Sequence, residues 1–179
     1  MFQIQQKRKS HSKLTIQVDT REHKREWERI KSQFDSLGVD YFRSKLWIGD
    51  YMNIDRPRIV VDRKKDLLEL CGNITQQHER FQKELLRAQD KDIKLIILCE
   101  HGNGIERLSD VHFWHNPRLD VGEWIMLDGH PYKKPKYPKA TDGPALYKSL
   151  ATIRDKYGVD IQFCDQGNTG YVLTQILGG

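Results

Sequence analysis

Trp47-Ile48-Gly49-Asp50-Tyr51, a turn through Asp55-Arg56-Pro57, and Ile59-Val60-Val61-Asp62-Arg63-Lys64-Lys65-Asp66 form the stretch from which the rest of the chain is read. Ile59, Val60 and Val61 are β-branched and follow a proline turn, which predicts a buried strand ending in Asp62, Arg63 and Lys64. Residues two apart on a strand share a face, so Asp62 and Lys64 point one way and Arg63 the other. Asp50, brought close by the turn, completes a cluster of two carboxylates and one ammonium.

Those residue types suit metal-assisted hydrolysis of a phosphodiester. A hard divalent cation takes oxygen ligands and keeps several waters, so one or two carboxylates can hold it. It polarises a phosphoryl oxygen and lowers the pKa of a bound water, while Lys64 orients that water or offsets charge developing on the phosphate. Glu22-His23-Lys24 and Asp92-Ile93-Lys94 repeat the carboxylate-x-lysine pattern, but neither follows an apolar strand with an Asp-bearing strand just upstream.

The chain of 179 residues is 31% charged and carries a formal net charge of +5, with a pI near 9.0. That balance favours a polyanionic partner. Cys71, Cys99 and Cys164 are far apart and odd in number, so they read as small core residues in a reducing compartment, not a disulfide framework or zinc site. The longest apolar runs, such as Leu95 to Cys99, are too short to span a bilayer, and the polar, basic amino terminus has no secretory core. No membrane partner is expected.

Residues 1–13 carry Lys7, Arg8, Lys9 and Lys13 with little to bury and are expected to form a basic flexible arm. Leu14 to Val18 alternates as a first strand ending at Asp19. Trp27, Ile30, Phe34 and Leu37 then recur at helical spacing until Gly38. Glu22 opens that helix, where a carboxylate complements the N-terminal dipole. Val39 to Lys45 and Leu46 to Ile54 read as a hairpin leading into the central strand. A short helix is expected from Leu67 to Leu70, and a longer one from Ile74 to Lys91 with Phe81, Leu85, Leu86 and Ala88 on one face. Lys94 to Glu100 reads as a strand covered on both sides.

His101 to Asp142 interrupts the rhythm with His, Gly, Pro and aromatic residues. His112-x-x-His115 lacks the Cys or acid partners of a metal site. In the second half Lys133, Lys134 and Lys136 alternate with Tyr132 and Tyr137, so residues 130–139 are expected to form a DNA-contacting hairpin, aromatics stacking on bases and lysines following phosphates. Helix, strand and helix return from Gly143 to Leu177, the last packing Tyr171, Val172, Leu173 and Ile176. The alternation over residues 14–179 predicts an α/β fold with a mixed central sheet flanked by helices.

The order Val18-Asp19-Thr20-Arg21-Glu22, then Gly49-Asp50-Tyr51, then Val61-Asp62-Arg63-Lys64, then Arg80-Phe81 resembles the nuclease domain of the XPF-type structure-specific endonucleases, within the restriction-endonuclease-like, PD-(D/E)xK superfamily. In that family Gly-Asp is followed by Glu-Arg-Lys-x-x-x-Asp; here Asp62 replaces the Glu, Asp66 comes two residues early and Leu68 holds the expected position. The resemblance implies that Asp50 and Asp62 hold a magnesium or manganese ion, that Asp19 assists as an extra ligand and that Lys64 positions water or phosphate. Arg63 would grip DNA or order the carboxylates, and Arg80 and Glu84 would lie near the cleft. Arg21, Glu22 and Asp66 are further candidates.

The same resemblance implies DNA as partner, branched DNA as preferred substrate, and a homodimer formed through the nuclease domain. It also implies a standalone bacterial or phage type working in the cytoplasm of the cell or infected host. A non-catalytic DNA-binding partner of a nuclease, or an enzyme acting on RNA or linear duplex DNA, would carry the same core.

Overall fold

The computed structural model describes residues 13–102 and 104–179. The expected amino-terminal arm lies almost wholly outside the described residues.

The central strand forms where its β-branched residues predict it, as β4 (Ile59–Lys64) in a mixed six-stranded sheet. Its partners are β1 (Thr15–Val18), β2 (Asp40–Arg43), β3 (Tyr51–Asn53), β5 (Lys94–Glu100) and β8 (Asp160–Cys164), in the spatial order β2-β1-β3-β4-β5-β8. β4, β5 and β8 run parallel, whereas β3 is antiparallel to both β1 and β4. Helices α2 (Leu67–Thr75), α3 (His78–Asp90) and α4 (Gly143–Tyr157) cover one face; α1 (Lys24–Leu37) and α5 (Thr169–Gly178) cover the other.

Strand alternation sorts the apolar side chains between those layers. Val60, Leu95, Ile97 and Cys99 face α2, α3 and α4, while Val61, Ile96 and Leu98 face α1 and α5. The same alternation carries on past the apolar residues, which is why Asp62 and Lys64 emerge toward α3 and Arg63 toward α1. α1 ends at Gly38, whose φ of 67° suits a left-handed cap.

Several expectations fail in instructive ways. Val39 to Ile54 is not a hairpin: β2 pairs parallel with β1 and β3 lies on the other side of β1, so the two segments never touch as a ladder. Helix α1 between β1 and β2 supplies the crossover that a parallel pair needs. The helical break falls at Gln76 and Gln77: α2, capped at its start by Asp66 accepting from Glu69 N–H at 2.7 Å, runs on to Thr75. Leu37, Leu86 and Tyr171, expected inward, are exposed; enough neighbours on each helix already fill the core.

The hairpin expected at 130–139 instead joins β6 (Gly122–Leu127) to β7 (His130–Pro135), a separate two-stranded sheet. Its turn is Asp128-Gly129, both with positive φ, 47° and 79°. An Asp-Gly pair at a two-residue turn is the sequence signal that would have placed it.

Gly49 fixes the approach to the site. Its φ is 62°, and a Cβ there would stand 2.5 Å from Val60 Cγ1 and 2.9 Å from the Val61 carbonyl oxygen. Gly49→Ala should therefore cost more than about 1 kcal/mol of stability, since the positive φ and the clash act together. Urea unfolding measures it; an unchanged midpoint would contradict the account.

Candidate active site

β3 and β4 bring their acids together through backbone pairing. Asp50 N–H donates to the Val61 carbonyl at 2.8 Å, and the Asp50 carboxylate accepts from Arg63 N–H at 2.9 Å. That second bond locks Asp50 against the β4 backbone beside the side chain of Asp62. Asp50, Asp62 and Lys64 line one cleft of about 950 Å³, walled by α2, α3 and the start of α1.

Within the cluster, Lys64 Nζ lies 2.8 Å from Asp62 Oδ1 and 2.7 Å from Oδ2. The ammonium thus pairs with both oxygens, hydrogen-bonding to Oδ1 and lying in ion-pair contact with the buried Oδ2. Burial pushes the Asp50 carboxyl well above the usual range, and the Asp62 charge beside it adds to the shift. Burial works against the Lys64 ammonium too, but Asp62 and Asp50 more than offset it and keep the amine protonated.

Two carboxylates that repel at one cleft fit a hard divalent ion. Among the described residues no three His, Cys, Asp or Glu side chains converge on a point, so Asp50 and Asp62 would hold the ion with water completing its shell.

Asp19 is not the extra ligand expected. Its carboxylate accepts from Arg21 N–H at 2.7 Å, from the Arg21 guanidinium at 2.8 and 2.9 Å, and from Leu46 N–H at 2.6 Å. Every lone-pair direction is taken, and the side chain does not line the cleft. Asp19 closes the loop before Gly49 onto the end of β1.

Burial raises the Asp19 carboxyl, but these hydrogen bonds more than offset that and the net value lies below its ordinary 3.8. A lowered folded pKa means stability that is present above 3.8 and lost as pH falls through the folded value. Asp19→Asn should thus destabilise the protein by about 1–3 kcal/mol at pH 7, with the gap from wild type shrinking near pH 2. Urea unfolding at both pH values checks it; a gap that widened in acid would reverse the sign.

Arg63 is not free to grip DNA. Its guanidinium is buried on the opposite face of β4, paired with Glu22, and with Glu100 at 3.0 Å. Glu22 also accepts from the Tyr51 hydroxyl at 3.0 Å, so it belongs to this network and does not merely complement the start of α1. Glu100 binds Arg29 at 2.6 Å and the Thr169 hydroxyl at 2.6 Å. Sequence reading missed Glu100 because it ends a strand whose other residues are apolar.

The remaining candidates divide between structural and surface positions. Asp66 lines the cleft but is occupied as the α2 cap. Glu84 accepts from Gly49 N–H at 2.9 Å and pins the positive-φ turn to α3. Arg80 and Arg21 line the cleft, joined by Arg87 and Arg118, which no sequence pattern marked. Lys133, Lys134 and Lys136 do not line it; Lys133 donates to the Asp120 carbonyl at 2.7 Å on the exposed hairpin. His112 and His115 do not converge as ligands: His115 meets Asp120 at 2.7 Å, while the His112 ring packs edge-on to Tyr147. No described helix is long and apolar enough to cross a membrane.

A family model, the ERCC4 domain, matches residues 18–175. Among solved structures, XPF from Aeropyrum pernix is similar at 18% identity and a TM-score of 0.58, over 91% of this chain and 63% of that one. Its complex with DNA is similar at 18% identity and a TM-score of 0.57, over 92% of this chain and 64% of that one. This chain therefore spans just under two thirds of those chains, and the likeness establishes a shared fold. No curated protein matches.

Proposed function

The chain belongs to the ERCC4 domain family of structure-specific DNA nucleases, generally dependent on a divalent metal, and on that premise we propose that it is a magnesium- or manganese-dependent endonuclease cutting branched DNA. The observation that supports the reading is the convergence of Asp50, Asp62 and Lys64 in one cleft. Flaps, forks and four-way junctions are the substrate class. The similarity to a DNA-bound XPF structure adds support for DNA as the ligand, and self-association through this domain belongs to the same proposal.

Asp50 and Asp62 would hold a divalent ion, which would supply Lewis-acid polarisation of the phosphate and a more acidic water. Lys64, whose ammonium form its carboxylate neighbours favour, presents a positive charge where charge develops on the phosphate. Arg63 N–H orients Asp50. Arg80, Arg87 and Arg118 place cations along the cleft walls, where a phosphodiester backbone would run.

Labelled flap, fork, junction and linear duplex DNA, together with RNA, incubated with magnesium and with EDTA test the proposal. Cleavage of the branched DNAs, faster than of the linear one and abolished by EDTA, is the expected result. Binding of branched DNA with no cutting would leave a non-catalytic partner protein and overturn it, as would preferential cutting of RNA or linear duplex.

A further inference from the structure

The β6–β7 hairpin stands apart from the main sheet, and its exposed side chains follow a pattern. Register places Trp124 opposite Lys133 and Met126 opposite Pro131, so these four share a face. Trp124 is 71% and Met126 69% exposed, far more than a core would tolerate. The other face sets Glu123 against Lys134 and Ile125 against Tyr132. A two-stranded ribbon this open is marginally stable by itself, so its large exposed apolar groups call for an occupant.

The position of the hairpin and its charge indicate which. Arg118, which lines the catalytic cleft, also lies 5.4 Å over the ring of Tyr137 at the hairpin's exit. The foot of the hairpin thus adjoins the cleft wall. Lys133, Lys134, Lys136 and Lys139 outnumber the segment's two acids, Glu123 and Asp128, so cations stand beside the aromatic groups. A second copy of this chain, itself positively charged at +5, is a poor match for that surface; nucleic acid is a good one. Side chains two apart on a strand stand about 6.8 Å apart, the gap that one flat base of about 3.4 Å stacking leaves on each side.

We infer that this hairpin reads unpaired DNA beside the cleft, with one unpaired base seated between Trp124 and Met126 and the hairpin lysines on the flanking phosphates. The inference rests on the nuclease reading and deepens it, since it assigns recognition of a single-stranded arm to residues outside the catalytic cluster. Duplex DNA, whose bases are already stacked, meets the lysines but gains nothing from the Trp124 and Met126 seat.

Trp124→Ala and Trp124→Phe, each in an Asp62→Asn background that prevents cutting, test it by fluorescence anisotropy on a splayed fork and a blunt duplex. Trp124→Ala should weaken fork binding by about tenfold, the lower part of what one stacked base contributes, and leave duplex binding unchanged. Trp124→Phe should restore most of the loss, and a 2-aminopurine in the unpaired arm should be quenched only when residue 124 is aromatic. Unchanged fork affinity, an equal fall on both DNAs, or a change in oligomeric state without a change in DNA binding would each overturn the inference. If wild type cuts no DNA but the fork-specific loss is seen, the catalytic reading fails and this one stands; if it cuts forks with fork affinity indifferent to residue 124, this one alone fails.

Discussion

Asp62→Asn should lower the rate of DNA cleavage by about a thousandfold, the upper end for loss of one preorganised electrostatic group, while the protein stays folded and still binds DNA. Asn fills the same space and its amide oxygen can still accept from Lys64. Its amide nitrogen, however, would place a donor where Oδ2 now carries carboxylate charge against the Lys64 ammonium. Affinity for manganese, followed by calorimetry, should fall with the rate. Stability should fall, because the buried Lys64 ammonium loses the charge of its partner at 2.7 Å and the relief of repulsion between residues 62 and 50 offsets only part of that. Cleavage within tenfold of wild type would show that Asp62 is a strand-end residue and not part of the site.

The main outline of this arrangement is legible in the residues themselves. Period-two alternation through Val60, Val61 and Asp62 to Lys64 orders the two faces of β4, and the helical spacing of Trp27, Ile30 and Phe34 marks α1. What escapes is whatever depends on pairing between distant segments. Nothing local in Asp40 to Arg43 says that it pairs with β1 and not with β3, since both arrangements satisfy the same short apolar runs. Asp19 and Asp50 look alike in sequence, each an acid at a strand end, and differ only in what surrounds them. Leu46 N–H and Arg21 saturate the first, while the second keeps one edge for the cleft. Glu100 and Arg63 find each other across β5 and β4, which a chain read residue by residue cannot show.

Arg63→Met should remove about 3–5 kcal/mol of stability, the range for breaking a buried ion pair by deleting one partner, which is a large part of the 5–15 kcal/mol typical of a domain. The guanidinium lies between Glu22 and Glu100 with its side chain only 5% exposed. Burial opposes its charge, yet the two carboxylates hold it strongly protonated. Removing it strands two acids against the α1 and α5 layer, with Arg29, Tyr51 and Thr169 left among the described residues to satisfy them. Lysine is no substitute, because a single ammonium cannot span both carboxylates as the planar fork does. Replacing Glu22, Arg63 and Glu100 together by apolar residues should cost far less than Arg63→Met alone. Binding separates this role from contact with DNA: the salt dependence of affinity should keep the wild-type slope, since no phosphate contact is lost. Cleavage per folded molecule should change little, because the bond that orients Asp50 comes from the residue-63 backbone N–H, which methionine retains. A flatter salt slope with unaltered unfolding would return Arg63 to the DNA-binding surface and take the buried network with it.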